Sequence, residues 1–150
     1  MIVKDWLDLV ENSDVVNLEL KACCDKISYH CQNDTSLVEL IAKLYPGHFI
    51  WNDKKRQWYG WNGQRWENNE HPFKKCVMYD VEKYWNNELN SFLSEIDTPS
   101  DAKDEGTASY KLFKATKDKM TTYINKQLKN SAGISNKVSV AKSLIYDNGS

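Results

Sequence analysis

The chain has 150 residues, of which 41% are hydrophobic, 27% charged and 12% aromatic. This length and aromatic content exclude disordered and fibrous proteins and predict a domain with a core of its own. No run of 18 apolar residues occurs, and the first residues do not resemble a secretory leader. We therefore expect an intracellular protein with no membrane partner.

The net charge is only −1, but it is unevenly distributed along the chain. Residues 1–34 carry −4 (3 Lys/Arg against 7 Asp/Glu), and residues 67–105 carry −6 (4 against 10). Residues 35–66 carry +3 (5 against 2), and residues 106–150 carry +6 (8 against 2). The alternation fits basic surfaces that meet phosphate and acidic surfaces that face a neighbouring subunit. It fits solvated helix faces equally well.

Helical periodicity dominates the chain before the Pro-Gly pair at 46–47. A short amphipathic helix is expected over residues 2–11, and a longer one over 15–31. Ser36 and Glu39 form the S-x-x-E pattern of a capping box, which predicts that a third helix begins at Ser36. The Pro-Gly pair ends that helix.

The hydrophobic period changes to two over residues 48–67, which predicts an antiparallel meander of three strands. Asn62-Gly63 is typical of a two-residue type I′ turn, which needs positive φ at both positions. A looser turn is expected at 53–55. The predicted strands lie near 48–52, 56–61 and 64–67.

These two turns decide which side chains share a face of the meander. One face then collects so many aromatic side chains that we expect it to pack on helices. The residues on this face are Phe49, Trp51, Tyr59, Trp61 and Trp66. The opposite face carries Ile50, Arg56, Trp58 and Arg65. A tryptophan flanked by two arginines is typical of a stacking surface for nucleic acid bases, and also of arginines that merely cover a tryptophan.

The second half of the chain returns to helical periodicity. A long helix is predicted from Pro72, which suits a first helical turn, to Ile96. The polar and acidic segment 98–106 predicts a loop. The next helix is apolar on one side from Tyr110 to Leu128 and ends at 130–133, before a last helix over 135–146. Its other side carries Lys111, Lys114, Lys117, Lys119, Lys126 and Lys129.

Together these elements predict an α+β fold that is mostly helical, with one small three-stranded antiparallel sheet at about 48–67 packed on helices. We expect one domain over residues 1–150. No Walker A loop, GxGxxG, GxSxG or HExxH motif occurs, so no catalytic residue is predicted. Cys23, Cys24 and Cys31 lie near His30 but lack the spacing of structural zinc sites. We therefore predict no metal, and a metal site or small enzyme built on these cysteines stays an alternative.

The hairpin sequence matches a known motif. WYGWNGQRWE at 58–67, preceded by FIW at 49–51, resembles the W-Y-x-W-D-G-x-R-W-E signature of the domain that precedes the superfamily 3 helicase in poxvirus-type and phage or plasmid helicase–primases. The matching residues are Trp58, Tyr59, Trp61, Gly63, Arg65 and Trp66, and Asn62 replaces the usual Asp. The resemblance covers roughly residues 36–147 and leaves 1–35 as a helical N-terminal extension.

The resemblance implies a function in DNA replication. Members of this family unwind DNA as hexameric rings that use ATP and Mg²⁺, and this domain links their primase to the motor. The resemblance thus implies a non-catalytic module, an excised fragment or relic without ATPase activity. Its partners would be DNA and other helicase–primase subunits or domains, in the cytoplasm of an infected host cell.

We expect this module to bind single-stranded or forked DNA weakly and without sequence preference. The expected contact residues are Arg56, Trp58, Arg65, Lys111, Lys114, Lys117 and Lys126. The structural motif comprises Trp51, Tyr59, Trp61, Gly63 and Trp66. The alternative is a protein–protein interaction module that uses the aromatic hairpin as a docking surface.

Overall fold

Helices pack on one face of a small sheet in the computed structural model, which describes residues 15–100 and 106–147. The predicted α+β class is confirmed, and the helix expected at 2–11 lies outside the described residues. The helices are α1 (Leu18–His30), α2 (Asp34–Leu44), α3 (His71–Lys75), α4 (Val81–Asn90), α5 (Ala108–Tyr123) and α6 (Ser131–Leu144). The strands are β1 (Phe49–Asn52), β2 (Gln57–Trp61), β3 (Trp66–Glu67) and β4 (Tyr146–Asp147).

Asparagine side chains fix the starts of the first two helices. The Asn17 side-chain oxygen accepts hydrogen bonds from two N–H groups of the first turn of α1. Asn33 does the same for α2, where it accepts from the Ser36 N–H at 2.8 Å and donates its own N–H to the Ser36 hydroxyl at 3.4 Å. The predicted start at Ser36 is wrong, because Asn is as good an N-cap as Ser and forms the capping box one turn earlier.

The sheet contains the predicted antiparallel meander and one further strand. The strand order is β3-β2-β1-β4, and β4 pairs with β1 in parallel. The N–H of Trp51 donates to the Ile145 carbonyl at 2.8 Å, at the start of this pairing. The last helix therefore ends at Leu144, before the predicted 146, and the chain turns into the sheet.

The β1–β2 loop has four residues, 53–56, because Asn52 pairs with Gln57. Arg56 takes a left-handed conformation with φ 54° and so belongs to the loop, not to the strand. One extra loop residue turns the whole preceding strand over. Trp51 consequently lies opposite Trp58, and both are 6% exposed. The prediction that Trp58 shares an open face with the arginines is wrong.

The β2–β3 loop is also longer than predicted. Trp61 pairs with Trp66, which leaves a loop of four residues between them. Gly63 has the expected positive φ, 101°, but Asn62 does not, so the type I′ turn is wrong. The Asn62 side-chain oxygen instead accepts two backbone N–H groups of the loop, at 2.8 and 3.0 Å. Because this shift is of two residues, Trp66 stays on the face of Tyr59 and Trp61.

The buried face of the sheet packs on α3. Trp58 stacks on Phe73, with ring centroids 5.6 Å apart and planes 15° from parallel. Phe49 meets the same ring edge-on at 5.5 Å. A Cβ on Gly60 would lie 2.8 Å from the Pro72 side chain, so a glycine is needed for this close approach. The hairpin does pack on helices: Phe49 and Trp51 are buried as predicted, but β2 contributes Trp58 to this face in place of Tyr59 and Trp61.

Two of the helical stretches contain a π-helical turn. Residues Cys76–Asp80 form the first, between α3 and α4, and Ile124–Leu128 form the second, directly after α5. The predicted helix over 72–96 stops at Asn90, and only a short 3₁₀ turn, Leu93–Glu95, follows. The predicted end at 130–133 is wrong, since Asn130 is the N-cap of α6.

The helices share one hydrophobic core with the sheet. α1 packs chiefly on α5, and α2 packs on α6. Leu20, Leu37, Trp85 and Leu128 are among the fully buried side chains of this core. Within residues 15–100 and 106–147, no helix has the length and apolar character that a membrane crossing requires.

Candidate nucleic-acid interface

The two predicted arginines lie in the loops at opposite ends of β2. Arg56 and Arg65 are both exposed, and the five residues of β2 hold them about 17 Å apart. Trp58, predicted between them, points into the core. The structure therefore does not join these three residues into one stacking surface.

Arg56 belongs instead to a basic cluster at the β1–β2 loop. Its guanidinium lies 5.6 Å from the Trp51 ring centroid, and the Lys142 ammonium, from the end of α6, lies 4.5 Å from that centroid. Asp53 balances part of this charge, with a carboxylate oxygen 3.8 Å from Arg56. We call Lys54, Lys55, Arg56 and Lys142 the basic tip.

The predicted lysines of α5 are less available than their number suggests. Lys114 pairs with Asp118 at 3.4 Å. Lys117 is half-buried, with its ammonium 5.6 Å from the Phe113 ring centroid and 3.4 Å from the Asn90 side-chain oxygen. Lys111 and Lys126 are exposed. Because α5 packs chiefly on α1, these lysines lie on a different part of the fold from the hairpin.

The outer face of the hairpin carries three aromatic side chains. Trp66 is 48% exposed and meets Trp61 edge-on at 5.7 Å. Tyr59 lies beside them and donates its hydroxyl to the Gln57 side chain at 2.8 Å. We call Tyr59, Trp61 and Trp66 the outer aromatic face. The prediction that this face is covered by helices is wrong.

A groove of about 640 Å³ opens beside the outer aromatic face. It lies between the hairpin and the helical stretch that contains the first π turn, a kind of turn that is frequent at functional sites. Aromatic rings from three segments line it: Tyr45, Trp61 and Tyr79. The residues that define this aromatic groove are Tyr45, His48, Trp61, Glu67, His71, Lys74, Lys75, Cys76, Tyr79 and Asp80.

Asp80 is the polar centre of the aromatic groove. Its carboxylate accepts a hydrogen bond from the Cys76 thiol, at an S–O distance of 3.2 Å. Burial raises the pKa of the Tyr45 hydroxyl to about 12, and the neighbouring Asp80 carboxylate adds to this rise. Burial and the bond to Asp80 also raise the pKa of Cys76, so both neighbours are protonated donors at neutral pH. The groove is thus suited to stacking a ring and accepting its N–H groups.

The cysteines near residue 30 form no site of this kind. Cys23, Cys24 and Cys31 are free thiols. Burial raises the pKa of Cys23 and of Cys31 to about 11, which disfavours the thiolate that nucleophiles and metal ligands need. In the described part of the chain, no three His, Cys, Asp or Glu side chains are arranged to hold a metal ion.

Sequence reasoning missed the aromatic groove, because its walls come from segments that are distant in the chain. Tyr45 follows α2, Trp61 ends β2, and Tyr79 lies in a π turn. One signal was present: Tyr79, 53% exposed, puts an aromatic residue on the polar side of an amphipathic helix. Lys142 was missed for the same reason, since only the fold brings it to Trp51.

Comparison of the chain with protein-family models, with curated proteins and with solved structures finds no match. The likeness of the hairpin motif to helicase–primases therefore stays a prediction. A function has to be argued from the chemistry of the surfaces described above.

Proposed function

We propose that this protein is a non-catalytic module of a helicase–primase of the poxvirus type and that it contacts single-stranded or forked DNA. The observation that supports this most is the outer aromatic face beside the aromatic groove. Each base that stacks on an aromatic side chain contributes about 1–3 kcal/mol, whatever its identity. ATP and Mg²⁺ would belong to a motor elsewhere, and the site of action would be the cytoplasm of an infected cell.

The contacts expected from the sequence are partly reassigned in this proposal. Trp61 and Trp66 replace the buried Trp58 as stacking residues. Arg65 is exposed in the loop next to them, and the basic tip lies at the other end of the hairpin. These cations contact phosphates, while the exposed lysines of α5 provide a second and separate basic surface.

The proposed binding is weak, because few cations are unpaired near the aromatic rings. Lys74 is held by Glu70 at 2.6 Å, and Arg56 lies near Asp53. With two or three phosphate contacts, the logarithm of the association constant falls with the logarithm of salt concentration with a slope of about −1.4 to −2.1. A steeper slope would indicate that more cations contact phosphates than these surfaces provide.

Fluorescence anisotropy of a labelled oligothymidine at low salt tests the proposal. We expect the double variant Trp61→Ala/Trp66→Ala to lose about tenfold or more in affinity, because two stacking surfaces are removed. Arg56→Ala/Arg65→Ala is expected to weaken binding and flatten the salt dependence. Tyr29→Ala, which removes a 47% exposed aromatic ring from α1, is the matched control. Absence of binding at about 50 μM protein, a threshold well inside the range of non-specific DNA binding, contradicts DNA contact.

A protein–protein interaction module is the second candidate. It is favoured by the exposure of Trp66 next to Trp61 and Arg65, since Trp and Arg are enriched in interface hot spots. Light scattering at two concentrations distinguishes the two functions. A protein that forms a salt-sensitive oligomer, does not bind DNA and becomes monomeric in Trp66→Ala supports a role in ring or subunit contact.

A further inference from the structure

We infer that the aromatic groove receives one unstacked nucleobase and that Asp80 gives it a preference for guanine. This inference rests on the proposed function, because it names the base that a bound single strand places in the groove. It is carried by the Asp80 carboxylate, which lies in a groove lined by the rings of Tyr45, Trp61 and Tyr79, an arrangement that bare stacking on DNA does not require.

The walls of the groove are suited to a planar ring. Tyr45, Trp61 and Tyr79 line it, and the His48 ring lies against Tyr45 with centroids 5.5 Å apart and planes 38° from parallel. The volume of about 640 Å³ falls within the roughly 300–1,000 Å³ of sites that hold small ligands. The groove therefore has the volume that a nucleoside needs.

The hydrogen-bonding capacity of Asp80 is only partly used. A carboxylate has about four acceptor positions and no donor. The Cys76 thiol donates to Oδ2, and the Tyr45 hydroxyl is a second hydrogen-bond partner of the carboxylate. About two acceptor positions therefore remain for a ligand that offers N–H groups.

Guanine is the base that matches such an acceptor. Its Watson–Crick edge presents two adjacent donors, the N1–H and one N–H of the 2-amino group, which a carboxylate accepts together. Adenine and cytosine place a ring acceptor beside their amino group, and thymine places its single N–H between two carbonyls. Single-stranded bases are commonly read along this edge after stacking.

The phosphate of the same nucleotide has a cation at the groove. Lys75 lines it and is exposed, without an ion pair to any residue in the described ranges. Lys74 is already held by Glu70. Glu67, the other lining carboxylate, accepts a hydrogen bond from the Asn62 side-chain amide at 2.8 Å. Lys75 therefore remains for a phosphate, and the preference among bases depends on the hydrogen-bonding edge of the base.

The test uses oligothymidines of about nine nucleotides, a length within the site sizes of single-strand-binding modules, with one central base exchanged. A guanine is expected to bind about tenfold more tightly than thymine at that position, the usual size of one bidentate discrimination. Hypoxanthine, which lacks the 2-amino group, is expected to fall between them. Adenine is expected to equal thymine.

Asp80→Asn is the decisive variant, because it keeps the shape and an acceptor for Cys76 but presents an amide to the base. It is expected to abolish the guanine preference and to leave oligothymidine affinity within about twofold, since a lost bidentate contact affects only the base that made it. Asp25→Asn, the same change at an exposed carboxylate of α1 that does not line the groove, is the control and is expected to keep the preference. Unfolding curves of both variants verify that they are folded.

The outcomes separate the inference from the proposed function. Equal affinity for the guanine and adenine oligonucleotides in the unaltered protein overturns the inference and leaves DNA contact standing. A guanine preference that survives Asp80→Asn also overturns it. Binding of none of the oligonucleotides overturns both. The comparison of bases in the unaltered protein does not depend on whether any variant folds.

Discussion

Lys137 is a fully buried lysine whose ammonium group is saturated with partners. It donates to the Asp34 carboxylate at 2.7 Å and to the Gly133 carbonyl at 3.2 Å, and it lies 5.5 Å from the Tyr123 ring centroid. Lysine is almost never fully buried unless it is paired. Asp34 occupies the first turn of α2, where the helix dipole favours a negative charge. The ion pair therefore fixes α6 against the start of α2.

We expect Asp34→Asn to destabilise the protein more than Lys137→Met. The first change leaves a buried ammonium without its counter-ion, which costs about 3 kcal/mol or more. The second leaves a carboxylate that is 33% exposed and can be hydrated. Urea unfolding of both variants measures the difference.

Lys21→Met is the control for these variants, since it breaks an exposed pair with Asp25 and is expected to leave the free energy of unfolding almost unchanged. If Lys137→Met is the more destabilising change, then the main effect of the ion pair is not to neutralise the buried ammonium group. A double variant Asp34→Asn/Lys137→Met is expected to resemble Lys137→Met alone, because no buried charge remains.

Among the elements, the hairpin shows how one loop residue controls which side chains are available to a ligand. The loop at 53–56 contains no glycine, and nothing in Asp-Lys-Lys-Arg distinguishes a three-residue from a four-residue turn. The Asn52 side chain accepts the Lys55 N–H at 2.8 Å and so helps close the longer loop. As a result, Trp58 is buried and Tyr59, Trp61 and Trp66 face outward.

Truncation of single tryptophans tests this register. Trp58→Ala is expected to cost about 3–5 kcal/mol, the usual loss for a buried aromatic ring. Trp66→Ala removes a ring that is already half exposed and is expected to cost about 1 kcal/mol or less. Guanidinium unfolding followed by circular dichroism provides both values. A larger cost for Trp66 would contradict the observed faces of the sheet.

The sequence predicted the elements well and their details less well. Periodicity locates the helices and the three strands because burial demands it. The predicted start of α2 was wrong because both Asn33 and Ser36 are residues that cap helices. The π turns leave apolar spacing nearly unchanged, so the pattern could not indicate them. The aromatic groove was not predictable, because its position depends on how the hairpin packs against α3.

At the scale of the whole molecule, folding buries several weak acids in their protonated form. Burial raises the pKa of Cys23 and Cys31 to about 11 and that of Tyr45 to about 12. In the unfolded chain, thiols and phenols titrate near about 8.5 and 10. Between these values the folded state keeps protons that the unfolded state has released. The contribution of these groups to the free energy of unfolding is thus fully present below about pH 8. It is lost as the pH rises toward 11 and 12.

We expect the free energy of unfolding to fall steadily between about pH 8.5 and 11, measured by urea unfolding in the presence of a reductant. Cys31→Ala removes one of the buried acids, and its profile is expected to fall less steeply. Tyr79→Phe, which removes an exposed hydroxyl, is the control and is expected to follow the unaltered protein. A profile that is flat or rises over this range would contradict the described burial of these groups.

Gly60 has a further consequence for binding. Because it has no side chain, the hairpin lies directly against Pro72, which itself lines the aromatic groove. The hairpin and the helical stretch that begins at Pro72 are therefore fixed against each other, and the groove between them is preorganised. A ligand that binds there costs the protein little conformational entropy, so even a small number of contacts contributes to affinity.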